Sequence, residues 1–203
     1  MIIKHQDKEP DIDGSAYIAP NAMVCGNVKI GMNVRIMFGA QIIAESSPVE
    51  IGDNCIVLEN AVIRGTHNLP VSIGKNCLIG PNSHIAGCTI EDNVFIATGV
   101  SVFHGALIKK GAEVRVNGVV HLKTTVPENR IIPINWIAVG NPMKMFPPEK
   151  HSEIWEIQKS LNFPELVYGL KRTRDNSSLM PDVCKTMSER LSGHLNDTII
   201  DEK

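Results

Sequence analysis

One feature of this 203-residue chain limits its fold more than any other: an aliphatic residue returns at every sixth position. Ile18, Val24, Ile30, Ile36 and Ile42 follow one another without a miss. A three-residue insertion that includes Ser46-Ser47-Pro48 delays the count to Ile51, after which Val57 and Ile63 fall in step. The loop Gly65-Thr66-His67-Asn68-Leu69-Pro70 resets it to Ile73, followed by Ile79 and Ile85. One step of five leads to Ile90, and Ile96, Val102, Ile108, Val114, Val120, Val126 and Ile132 then run in register. Six residues make about one short strand and a tight turn, and repeats of this kind stack into solenoids. Three units close a triangular coil, and successive coils lie one interstrand spacing apart, about 4.8 Å. The pattern predicts a mainly β chain, a parallel β-helix with five to six coils over residues 12–139. Asn and Asp at the corners, as in Gly52-Asp53-Asn54 and Glu91-Asp92-Asn93, suit turns that need positive φ.

Composition narrows the function classes. Apolar residues make up 43% of the chain, enough to fill a core, and aromatics only 4%, so the core is aliphatic. The net charge is −2 with no basic block, which argues against a nucleic-acid footprint. No apolar run reaches the length of a membrane helix, and Met1–Lys8 lacks the order of a signal peptide. Five cysteines without a CxxC motif fit free thiols in a reducing compartment, the cytoplasm.

The period stops at Gly140-Asn141-Pro142, which divides the chain into a β-helix domain, residues 1–145, and a C-terminal helix and tail, residues 146–203. Pro147-Pro148 precedes Ile154, Ile157 and Leu161 at helical spacing, so residues 149–161 read as an amphipathic helix on the prism. Residues 162–180 read as loop, 181–192 as a second, weaker helix, and the last ten residues as loose. Lys171-Arg172-Thr173-Arg174 is a short cationic cluster, solvated by default, that could meet a CoA phosphate.

Three strings carry a resemblance. Ile18-Ala19-Pro20-Asn21-Ala22-Met23-Val24-Cys25-Gly26, Ile85-Ala86-Gly87-Cys88-Thr89-Ile90 and Ala138-Val139-Gly140-Asn141-Pro142 resemble the γ-class carbonic-anhydrase-like branch of the hexapeptide-repeat proteins. The resemblance implies a left-handed parallel β-helix, a homotrimer, and sites in clefts between subunits. Hydratase members of that branch hold a metal with three histidines. The corresponding positions here are Arg64, Pro81 and Ala86. A guanidinium, a pyrrolidine ring and a methyl group cannot ligate zinc, which takes Cys, His or carboxylate donors. The branch's Arg-Gly-Asp is Ile43-Ala44-Glu45, and its Gln is Leu58. No zinc is expected at that site, and no carbonic anhydrase activity. His67 and His84 could relocate a metal site, or be a solvated loop histidine and a corner histidine.

Stacking arithmetic places Ile43, Arg64, Ala86, Phe103 and His121 in one column, with His104 beside Phe103; Glu59, Pro81 and Thr98 form an adjacent wall. The candidate catalytic residues are Glu59, Arg64, His104 and His121, with Arg64, Glu45 and Asn60 as candidate substrate contacts. In that reading Arg64 orients a small acyl or carboxylate substrate, and Glu59 or a histidine moves a proton. Acyl transfer from acetyl-CoA or another acyl-CoA is the version best populated in the wider superfamily. Two alternatives stay open. Arg64 and Glu59 could form an ion pair between subunits of a non-catalytic trimeric scaffold, or the chain could be a metal-dependent lyase with displaced ligands.

Overall fold

The computed structural model describes residues 1–171 and 178–201. The six-residue anchors wind into a three-sided parallel β-helix. One face is a seven-stranded sheet running from Tyr17–Ile18 to Ile131–Ile132. The other two faces join in one larger sheet, because the chain turns two corners without leaving extended geometry, in Met23–Ile30 and Gln41–Ile51. Ladder partners lie one coil apart: Ile18 beside Ile36, Ile36 beside Val57, Ile79 beside Ile96. Every anchor from Val24 onward is buried, and Ile42, Ile63, Ile79, Ile85 and Ile108 show no accessible surface. β-Branched side chains suit this stack because they pack well on a pleated surface.

Seven strands on a face exceed the five to six coils expected from the sequence. The winding runs from Asp11–Ile12 to Ile137–Val139, the span expected, but the coils are shorter than counted, and the Ser46-Ser47-Pro48 insertion stays within the strand Gln41–Ile51 without using up another. The N-terminal strand Ile2–Lys4 adds a further rung beside Val24 and Cys25. The corners rest on asparagine. Asn33, Asn54, Asn76 and Asn93 all have φ between 56° and 60°, a conformation asparagine tolerates better than most residues. Asn33 Nδ2 donates to Asn54 Oδ1 and Asn76 Nδ2 to Asn93 Oδ1, each at 3.3 Å.

The extension is more ordered than the sequence suggested. Helices α1 (His151–Gln158) and α3 (Met180–Leu191) lie where the periodicity placed them. Residues 162–180, read as loop, contain a further helix, α2 (Phe163–Tyr168), started by Pro164 with Glu165 in its first turn. The last ten residues, read as loose, include a strand, Thr198–Asp201, antiparallel to Ile2–Lys4. Backbone pairing with an otherwise open strand edge supplies what the tail's composition does not reveal. α1 packs against Ile137–Val139 at the other end, so the extension reaches from the last coil back to the first.

Candidate functional site

Register places Arg64 beside Ile43 on one side and beside Ala86 on the other, so the expected column exists. Its next members are aromatic: the Phe103 and His121 rings are 5.7 Å apart. α2 covers them by setting Phe163 against Phe103, at 6.5 Å and near a right angle, with Tyr168 behind. The sequence reading missed this cover, although Asn162-Phe163-Pro164-Glu165 carries a helix-start signal.

Arg64 does not pair with Glu59. Its Nε donates to Glu45 Oε2 at 2.6 Å, and its Nη2 donates to the same oxygen. Glu45 is buried, its side chain 8% accessible against 31% for Arg64, so it supports the guanidinium from beneath. A carboxylate at that depth needs a cationic partner, and Arg64 is one strand away. Glu59 lies exposed at a corner and makes no ion pair among the described residues. Only its backbone takes part, the carbonyl accepting from Asn82 N–H at 2.9 Å. Asn60 next to it is an exposed corner residue with φ of 57°. The structure thus gathers Arg64 and Glu45, and leaves Glu59 and Asn60 at a turn of the coil.

A row of imidazoles continues from Arg64. Partial burial, and then the Arg64 guanidinium, hold His84 below its ordinary value. Burial, and then His84, do the same to His104, and burial alone to His121. The surroundings thus favour the neutral form of each, the form that accepts a proton. His104 is 7% exposed, and its Nδ1, like that of His121, is buried with no hydrogen-bond partner among the described residues. Buried polar atoms are nearly always paired, so two unpartnered nitrogens in one row make this the candidate site. Gly87 makes room for the row: it has φ of +53°, and a Cβ there would lie 3.0 Å from His104 Cδ2 and 2.8 Å from Leu69 Cβ. Beyond Leu69, a groove of about 680 Å³ opens between the His67 loop, Lys123 and α2.

Zinc does not fit the positions that correspond to the family's ligands. Ala86 and Pro81 offer no donor, and Arg64 brings a positive charge, already committed to Glu45. His67 is exposed and accepts from Asn68 Nδ2 at 3.1 Å; among the described residues neither it nor His84 joins a group of three metal donors. Of the cationic cluster, Lys171 lies near Glu165, and residues 172–174 fall outside the described residues.

Comparison with known proteins agrees with this fold. A family described as "Hexapeptide repeat of succinyl-transferase" matches residues 70–104. A hexapeptide transferase family protein from Anaplasma phagocytophilum superposes with a TM-score of 0.58 at 25% identity, covering 79% of this chain and 92% of that one. The Francisella novicida UDP-N-acetylglucosamine acyltransferase, with a TM-score of 0.51 at 20% identity over 93% of this chain and 84% of its own, shares the fold. The chain is a hexapeptide-repeat β-helix protein.

Its branch follows from sequence. Gamma carbonic anhydrase 1, mitochondrial, of Arabidopsis thaliana is 30% identical over 160 residues, 76% of this chain and 56% of that protein. A carbonic anhydrase of Geobacillus kaustophilus is 26% identical over 171 residues, 78% of this chain and 84% of its own. The protein belongs with the γ-carbonic-anhydrase-like members of the hexapeptide-repeat family. It spans a little over half the length of the plant relatives it matches.

Proposed function

We propose that the chain is a metal-independent acyltransferase-like enzyme that works on a small acyl or carboxylate substrate. The observation that carries this reading is His104: a buried imidazole with an unpartnered Nδ1 near His84, which in turn lies near Arg64. Arg64 keeps its Nη1 donors for a carboxylate while Glu45 fixes its other edge. His104 takes the proton of an acceptor hydroxyl or amine as that group attacks an acyl-CoA carbonyl. The carbon–sulfur bond then breaks, and the proton passes on to the departing thiolate. A base held in its neutral form by burial contributes roughly 10²–10⁴-fold to such a step. Acetyl-CoA or another acyl-CoA is the donor, and His121 lines the far side of the row.

The site is completed in a homotrimer. The outward ladder of the seven-stranded face runs Tyr17, Arg35, Ile56, Leu78, Phe95, Glu113 and Ile131, so Ile56, Leu78 and Phe95 form an unbroken apolar patch at its middle, with Ile56 and Phe95 each 38% exposed. An exposed apolar patch of this kind favours contact with a like surface. We place the protein in a reducing compartment such as the cytoplasm, consistent with five free cysteines; no helix among the described residues is long and apolar enough to cross a membrane.

Thermal shift with acetyl-CoA and a panel of short carboxylates tests the reading. A ligand at 100 times its Kd stabilises by about 2.7 kcal/mol, a readable rise in Tm that His104→Gln and Arg64→Lys should abolish. The same preparation should hydrate CO₂ no faster than buffer. A second reading, a non-catalytic trimeric scaffold, draws on the Arg64–Glu45 pair, which fills the family's ligand position from within the chain. Silence across the panel, with the trimer intact, would favour the scaffold.

A further inference from the structure

A second cluster lies at the opposite end of the extension, where the tail returns to the first coil. The His5 ring is 2% exposed and held at both nitrogens. Its Nε2 donates to the Glu45 carbonyl at 3.0 Å, and its Nδ1 lies 2.6 Å from Asp197 Oδ1. The other carboxylate oxygen is 2.7 Å from His194 Nδ1, and the two imidazoles stack with centroids 4.2 Å apart. Cys25 Sγ, also buried, points to the same carboxylate at 3.9 Å. The donor atoms of all four residues lie within 4.8 Å of one another.

Hydrogen bonding sets the chemistry of this group. A carbonyl can only accept, so the contact to Glu45 keeps a proton on His5 Nε2. Nδ1 faces a carboxylate oxygen 2.6 Å away, a contact that a proton or a metal cation between the two atoms makes favourable. An imidazole that donates one N–H to a backbone carbonyl and directs its other nitrogen at anionic donors is the usual setting of a metal-bound histidine.

We propose that His5, Cys25, His194 and Asp197 bind one Zn²⁺ ion. Two imidazoles, a carboxylate and a thiolate form a tetrahedral donor set for zinc at about 2.0–2.3 Å. One thiolate and one carboxylate balance the divalent charge, and the Cys25 thiol gives its proton to solvent as the ion binds. All four places are filled by protein, the pattern of a structural site rather than a hydrolytic one. Two ligands belong to the β-helix and two to the tail, so the ion joins the extension to the first coil. Glu45 links this site to the cleft, since its carbonyl orients His5 and its carboxylate holds Arg64. None of the four residues corresponds to the positions where relatives hold their metal.

Cobalt titration of the metal-free full chain, in a Cys184→Ser background that removes the exposed thiol, tests the site. One Co²⁺ per chain should bind with the intense visible bands of tetrahedral cobalt and a sulfur-to-cobalt charge-transfer band, and Zn²⁺ should displace it. Cys25→Ser should lose the charge-transfer band while circular dichroism shows the β-structure intact. His194→Ala and Asp197→Asn should each weaken Zn²⁺ binding at least about 100-fold, beyond the loss typical of outer residues alone. His84→Ala should leave it unchanged. Zn²⁺ should also slow proteolysis of the tail in the parent chain and not in His194→Ala. A missing charge-transfer band, or unchanged zinc affinity in His194→Ala and Asp197→Asn, would overturn the proposal.

Discussion

Arg64 and Glu45 are where residue chemistry departs furthest from the relatives' metal site. Removing the guanidinium leaves a buried carboxylate without its partner, which costs about 1–3 kcal/mol, toward the upper end because the group is charged. Arg64→Ala should lower the unfolding free energy by that amount in urea, and Arg64→Ala with Glu45→Gln should recover part of it. The histidine row predicts a pH response. His84, His104 and His121 are held below 6.5 in the folded chain, so their contribution is complete above pH 6.5. It falls as pH drops from 6.5 toward the lowered values, since the unfolded chain takes up protons that the folded chain refuses. Urea midpoints measured across that window should decline, and His104→Gln with His121→Gln should flatten the decline. Sequence alone could line up Arg64, His104 and His121, because the period assigns each residue to a column. It could not tell Glu45 from Glu59 as the partner, since that choice depends on side-chain depth. His5 and Asp197 were beyond reach for a plainer reason: 192 positions separate them, and no periodicity connects the two ends.

Among the elements, the strands were legible and the connections less so. An anchor every six residues reports inward-facing positions directly, whereas α2 is six residues long and owes its place to Phe103 rather than to its own pattern. Gly87 shows what a connection contributes. A Cβ there meets Leu69 and the His104 ring, and the positive φ adds about 1–2 kcal/mol of its own. Gly87→Ala should therefore displace the imidazole and reduce ligand-dependent stabilisation more than Ile108→Val does, a core change that costs only about 0.5–1.5 kcal/mol. Thermal shift with and without acetyl-CoA separates the two effects.

For the whole molecule, the outward patch of Ile56, Leu78 and Phe95 is the feature that calls for company. Ile56→Glu with Phe95→Glu places like charges on the patch without touching the interior, because both side chains are more than a third exposed. Sedimentation equilibrium should find the parent chain trimeric and the double variant monomeric, with β-structure retained in both.

The extension is fastened at both ends, by α1 on the last coil and by Thr198–Asp201 on the first. The distance it spans is therefore set by the number of coils between. An unstrapped solenoid can gain or lose a turn and still close every ladder, since any coil can follow any other. Here a turn removed or added would bring the two footings about 4.8 Å closer together or further apart, and the extension has to bridge the new distance. Sequence drift can change what each storey displays without touching the strap, whereas a change in the number of storeys alters the gap it crosses.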